Sequence, residues 1–276
     1  LVDYELTLSM PYRLTADTGI DSLCHALEAY VSRRANPFTD SVALTAMRSI
    51  HDNIRTACAE PDNRRAREAM MLAATQGGMA FANASVTLIH GMSRPIGALF
   101  HVPHGLSNAM LLPEVTAWSV DGAGARYADC ARYMGIAAAS DGDNVATGKL
   151  VDGLRELCAD LSVPGPREYG IAEDEWFGSL ELMAQQALDS GSPANNPRVP
   201  EAQEIIERLR PERTDQVIGH GTRHVRHAAV AHRRSAVLAE ELPVRLPVVQ
   251  APTLRVLLDE VQEEACARTV VLHAPV

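Results

Sequence analysis

The sequence predicts an all-α fold between Pro11 and about Arg210. Apolar residues recur there at three- and four-residue spacing, Pro or Gly separates the segments, and strand-like alternation is nearly absent. With 276 residues and 46% hydrophobic content, the chain has enough apolar surface for a sizeable core.

Taken in order, Leu1 to Leu8 reads as the end of a strand and the turn leaving it. Ile20, Leu23, Cys24 and Leu27 form the apolar stripe of a first helix, and Val42, Leu44, Met47 and Ile50 form that of a second, which Pro61 ends. Further helices are expected over Arg64 to Ala82, Val86 to Phe100, Gly105 to Leu112, Gly124 to Met134, Val145 to Leu161, Glu173 to Leu188 and Pro200 to Leu209, joined by short loops. Arg64, Arg65, Arg67 and Glu68 read as a solvated face, His51 as a surface residue, and Met70, Met71, Met79 and Met92 as core filling. Asp141 to Asn144 reads as a loop before a helix, without the twelve-residue calcium pattern.

Composition excludes several classes. A formal charge of −10 argues against nucleic acid or an anionic membrane surface as partner, since both reward clustered Lys and Arg. The five cysteines are scattered and never spaced CxxC, so neither a disulfide framework nor a thiolate zinc site is indicated, and a cytoplasmic setting fits. No apolar run approaches the roughly 20 residues a bilayer needs.

Beyond about Arg210 the text changes. His220, His224, His227, His232 and His273 fall there, and Leu242 to Val249 is an apolar stretch broken by Pro243 and Pro247. Lys149 is the only lysine of the chain, every other basic residue apart from the histidines being arginine. Residues 211–276 are therefore read as an atypical tail, foreign to the preceding domain and consistent with a shifted reading frame. Arg223 and Arg226 argue against a metal face on its histidines.

The chemistry concentrates earlier. Asp21 and His25 stand four residues apart, one turn above each other on one helical face. Such a pair is either a capping or salt-bridging pair or two ligands converging on one cation. Glu28 extends the same polar stripe within an otherwise apolar segment, and a polar stripe there needs a partner. His90, His101 and His104 follow in a stretch punctuated by Pro and Gly, where each could also be a core histidine satisfied by a carbonyl. If His90 sits on one helix and His104 opens another, three imidazoles and one carboxylate can meet. That donor set suits Fe(II), Zn(II) or a similar divalent ion and would act as a Lewis acid of net charge about +1.

The run from Leu14 to Tyr30 resembles the metal-site helix of the iron-dependent, group III alcohol dehydrogenases. Gly78 to Ala84 followed by His90-Gly91-Met92, then Pro103-His104-Gly105 followed by Asn108 and Leu111-Leu112-Pro113, are similar to that family's second and third signatures, and Asn196-Pro197-Arg198 also recurs there. The resemblance covers roughly residues 1–210. It implies that Asp21, His25, His90 and His104 ligate the catalytic metal, and that Phe81 lies near the nicotinamide ring of NAD or NADP. It also implies a small primary alcohol or aldehyde as substrate and a homo-oligomeric state.

The implied fold is the helical second domain of a dehydroquinate-synthase-like pair, spanning 11–210, with residues 1–10 as the stub of a link. The preceding α/β nucleotide-binding domain is not represented: the glycines are dispersed, with Gly77-Gly78 inside a helix, and no dinucleotide fingerprint exists. The expectation is therefore that this polypeptide alone binds metal and turns over no alcohol. The contrasting reading is a non-catalytic helical module that holds metal or dimerises.

Arg94 departs from the family pattern, standing where many relatives carry another histidine. It is either a structural cation paired with a carboxylate such as Glu114 or a group facing the substrate that favours a carboxylate or phosphonate tail. His101, three residues before His104, is the second candidate for a substrate-side role.

Overall fold

The computed structural model describes residues 2–210. The tail 211–276, with its histidines and its apolar stretch, lies outside the described residues.

Among the described residues ten α-helices carry the fold: α1 (Tyr12–Val31), α2 (Pro37–Ala59), α3 (Arg64–Ala84), α4 (Leu88–Phe100), α5 (His104–Ser119), α6 (Gly124–Met134), α7 (Asp143–Asp160), the single turn α8 (Pro166–Tyr169), α9 (Glu173–Asp189) and α10 (Ala202–Leu209). No strand occurs among the described residues. None of their helices is long and apolar enough to cross a membrane.

Local chemistry explains most of the boundaries. Asn36 and Thr39 form a reciprocal capping box at the start of α2, where Pro37 is also tolerated because its missing N–H has no helical partner. Asn63 caps α3 by accepting from the backbone N–H of Ala66. Gly135 ends α6 with a positive φ of 78°, a conformation cheap only for glycine.

The N-terminal segment differs from expectation. Tyr4–Thr7 is a 3-10 turn, not a strand end, because the Asp3 carboxylate accepts from the Glu5 N–H at 3.0 Å. The turn packs on α3, where Glu5 pairs with Arg64.

α1 lies between α2, α3 and α5, and its predicted stripe of Ile20, Leu23, Cys24 and Leu27 is buried to 1% exposure or less. Burying side chains of that size contributes roughly 1.5–3 kcal/mol each. On α2 the buried stripe is Ala43, Ala46, Met47, Ile50 and Ile54, while Val42 and Leu44 are only partly buried. The second predicted stripe was thus half right, because residues of similar hydropathy flank the true one.

Arg67 also differs from expectation. It is 3% exposed and donates to Thr15 Oγ1 at 2.8 Å and to the Pro61 carbonyl at 3.0 Å, tying α3 to the start of α1. Its neighbours Arg64, Arg65 and Glu68 are exposed as expected. Of the methionines, Met92 is fully buried and Met70, Met71 and Met79 are half-buried. His51 is likewise half-buried, beside Asp52.

α5 is buried nearly all round and packs on α1, α4 and α7. It approaches α1 so closely that a Cβ on Gly105 would stand 2.5 Å from the Asp17 carbonyl oxygen. Glycine is required there by backbone-to-backbone contact. A similar contact at Gly91 lets Pro193 of the 3-10 turn Ser192–Asn195 lie against α4, at 2.7 Å from where a Cβ would be.

The segment after that turn is pinned by Asn196, which donates to Ser119 Oγ at 3.0 Å and to the Arg198 carbonyl at 2.7 Å. Arg198 stacks over the Trp118 ring at 4.1 Å. These are the local reasons for the Asn-Pro-Arg sequence at the end of the domain. Trp176 closes the far side, donating to the Leu209 carbonyl at 2.7 Å and stacking on Phe100.

Candidate metal centre

The close approach of α5 to α1 at Gly105 sets two helical faces against one another. Asp21 and His25 occupy one face of α1, four residues apart, and His104 and Asn108 occupy one face of α5 at the same spacing. His90, in the first turn of α4, completes the group.

One ligand atom from each of Asp21, His25, His90 and His104 lies within 4.8 Å of all the others. Asp21 Oδ1 stands 3.3 Å from His90 Nε2, 3.8 Å from His104 Nε2 and 3.9 Å from His25 Nε2. The His25 and His90 rings stack at 4.5 Å, and His104 tilts against His90 at 5.2 Å.

The cluster is enclosed on one side and open on the other. The His90 side chain is 3% exposed and that of Asp21 17%, whereas that of His104 is 50% exposed. Protein therefore backs the site at His90 and Asp21, and His104 is the most exposed of these three. Phe81, partly buried on α3, stacks on His25 at 4.3 Å and forms an apolar wall of the cluster.

The electrostatics agree with the geometry. Burial pushes the Asp21 carboxyl up, but the three surrounding imidazoles more than offset it and hold it well below the usual carboxylate range. Burial drives His25 down to about 4 against the opposing pull of Asp21, leaving it neutral at pH 7 with a free lone pair. Burial also works against the charged form of His90, but Glu28 and Asp21 on either side raise it.

Asn108 sits in the midst of these acceptors. Its Nδ2 donates to Asp21 Oδ1 at 2.6 Å and lies 3.2 Å from both His90 Nε2 and His104 Nε2. Its own Oδ1 is buried without a hydrogen-bond partner among the described residues. Three ligand atoms, from Asp21, His90 and His104, crowd one amide NH2 group with His25 beside them, and that donor set fits a divalent cation.

Two residues of this site carried no assigned role in the sequence: Asn108 and Glu28. The signal for Asn108 was its place four residues after His104, and for Glu28 its place on the stripe of Asp21 and His25. Glu28 meets His90 Nδ1 from behind at 2.5 Å.

The two other candidates lie outside the four-residue cluster. Arg94 is exposed on α4 and donates to Ser192 Oγ at 2.8 Å. Glu114, the carboxylate suggested for it, is held by Arg208 at 3.1 Å, because α10 packs its basic side chain there. His101 is the exposed residue that ends α4, in the left-handed conformation with φ 56°, and its carbonyl accepts from Tyr169 Oη.

Comparison with known proteins bears on this constellation. Residues 15–212 match the model of the Fe-containing alcohol dehydrogenase family, C-terminal part. Over 206 residues the chain is 38% identical to 1,3-propanediol dehydrogenase of Citrobacter freundii, covering 74% of this chain and 52% of that relative. Lactaldehyde reductase of Escherichia coli K12 is 34% identical over 207 residues, covering 75% and 53%.

Among solved structures, 1,3-propanediol oxidoreductase superposes with a TM-score of 0.72 at 36% identity, over 78% of this chain and 55% of that one. Sulfoacetaldehyde reductase of Bifidobacterium kashiwanohense in complex with NAD+ gives 0.66 at 26% identity, over 75% and 52%. The chain thus spans about half the length of the relatives it matches. Its helical architecture, converging histidines and matched residues lead to one conclusion: the chain belongs to the Fe-containing alcohol dehydrogenase family, of which it carries the C-terminal helical domain.

Proposed function

We propose that residues 11–210 form the metal-holding domain of an oxidoreductase that interconverts small primary alcohols and aldehydes with NAD or NADP as hydride carrier. The observation that carries this reading is the convergence of Asp21, His25, His90 and His104 within 4.8 Å. These four residues would hold Fe(II), Zn(II) or a similar divalent ion. When bound, such an ion supplies Lewis-acid polarisation of an alcohol or aldehyde oxygen.

The remaining work falls to the chain's own groups. His25 is neutral and stacked between Phe81 and His90, so its ring is fixed in orientation without a charge to repel a cation. Phe81 offers the apolar wall against which a nicotinamide ring would lie, keeping water from that side. His104, half-exposed, would be the ligand nearest an incoming small substrate. The names of the relatives, propanediol dehydrogenase and lactaldehyde reductase, support short alcohols or aldehydes as the substrate class. A homo-oligomer in the cytoplasm completes the reading.

Arg94, on α4, and His101, which ends it, are proposed as polar groups on the substrate side. Arg94 would favour a substrate with an anionic tail, by charge-assisted pairing. Equal catalytic efficiency of the active enzyme on an ω-hydroxy acid and on its uncharged alcohol would remove Arg94 from this role.

The central test is elemental analysis of the purified chain after loading with Fe(II) or Zn(II), together with a nicotinamide-binding titration. One equivalent of metal in the wild type and none in Asp21→Asn supports the reading. Metal bound equally by both overturns it, while metal without nicotinamide affinity is the result expected of the helical domain alone.

A further inference from the structure

We infer that Glu28 is a positioning residue for His90: it engages Nδ1 of the imidazole and turns Nε2 towards Asp21 and His104. The inference rests on the metal-centre reading above.

Glu28 lies on α1, three residues after His25, and is 1% exposed. Its two oxygens do separate things. Oε1 accepts from Thr87 Oγ1 at 2.8 Å and from the Ile89 N–H at 2.7 Å. Thr87 makes no side-chain cap to α4, so a carboxylate from another helix supplies the cap instead, at the end where backbone N–H groups favour negative charge. Oε2 takes no part in that cap and meets His90 Nδ1 at 2.5 Å.

A carboxylate only accepts, so the hydrogen between the two belongs to Nδ1. Nε2 then faces the cluster, 3.3 Å from Asp21 Oδ1. Turning the ring over would put carbon against Glu28 and break the contact. Outer carboxylates of this kind fix which nitrogen of a histidine is free to bind metal.

The geometry makes the amide substitution informative. In Glu28→Gln one oxygen must still accept from the Ile89 N–H, which cannot reverse its role. That leaves the side-chain NH2 facing His90 Nδ1, where it favours an unprotonated Nδ1 and a proton on Nε2, the nitrogen a cation needs.

The experiment is Zn(II) affinity by chelator competition on the full chain, with folding checked by circular dichroism, and 15N spectra of the Zn(II)-loaded, histidine-labelled chain, His90 being assigned by His90→Gln. Expected are coordination through Nε2 with a proton on Nδ1 in the wild type, and a loss of Zn(II) affinity of about 10- to 100-fold in Glu28→Gln. Thr87→Val removes a contact to Oε1 alone and is expected to lower thermal stability while keeping Zn(II) affinity within about twofold.

Undiminished affinity in a folded Glu28→Gln overturns this inference and leaves the metal centre intact. A wild-type chain that holds no Zn(II) overturns both. Should Glu28→Gln not fold, the wild-type spectrum decides: coordination through Nδ1 refutes the positioning role.

Discussion

Charged side chains occur in this molecule in two settings that behave differently. Along α6 and α7, Arg132 pairs with Asp129 and Asp143, and Lys149 with Asp141, all near water. Between α1, α4 and α5, by contrast, Glu28 and His90 are buried and Asp21 nearly so, with their contacts directed by helix geometry. The surface pairs can be lost with little consequence, because solvent screens them and flexible side chains must be ordered to form them. The buried groups cannot, because each would leave a partner desolvated and unpaired. The difference separates charges that decorate the fold from charges that it was built around.

The largest effect is expected at the ligands. His90→Ala is expected to lower metal affinity by more than the roughly 10- to 100-fold that loss of an outer partner costs, measured by chelator competition. An affinity equal to wild type would mean the buried cluster is merely structural.

Next comes the helix contact beneath it. Gly105→Ala forces a Cβ to within 2.5 Å of the Asp17 carbonyl, so α5 must withdraw from α1. Denaturant unfolding should show a loss of about 1–3 kcal/mol, with metal affinity falling too as His104 moves with its helix.

A smaller expected effect is that of Arg67→Ala, which removes hydrogen bonds to Thr15 and to the Pro61 carbonyl. About 2 kcal/mol should be lost, with metal affinity retained because the residue lies away from the cluster. The smallest is that of Lys149→Ala: the thermal midpoint should not move measurably, and a large drop would show that a surface pair matters after all.

The first stripe, Ile20, Leu23, Cys24 and Leu27, was readable because four apolar residues at helical spacing leave one way to bury them. That Asp21 and His25 share a face was readable for a similar reason, since a four-residue spacing dictates it, whereas His90 and His104 joined them in the sequence only through the resemblance. Val42 and Leu44 misled because Ala43 and Ala46, small and weakly hydrophobic, are the residues that let α2 pack closely. Arg67 reads as solvated in the sequence because its carbonyl partner, Pro61, and its hydroxyl partner, Thr15, are contributed by other segments.

Sequence alone therefore determined the succession of helices and the apolar face of α1, which follow from local periodicity, while the four candidate ligands were legible only through the family resemblance of the motifs around them. Tertiary structure decided which polar group answers which: Asn108 among the acceptors, Glu28 behind His90, Arg208 on Glu114, Ser192 on Arg94. The physical reason is that a hydrogen bond reaches about 3 Å, and only the packing of helices distant in sequence, permitted at Gly105 and Gly91, brings those atoms so near.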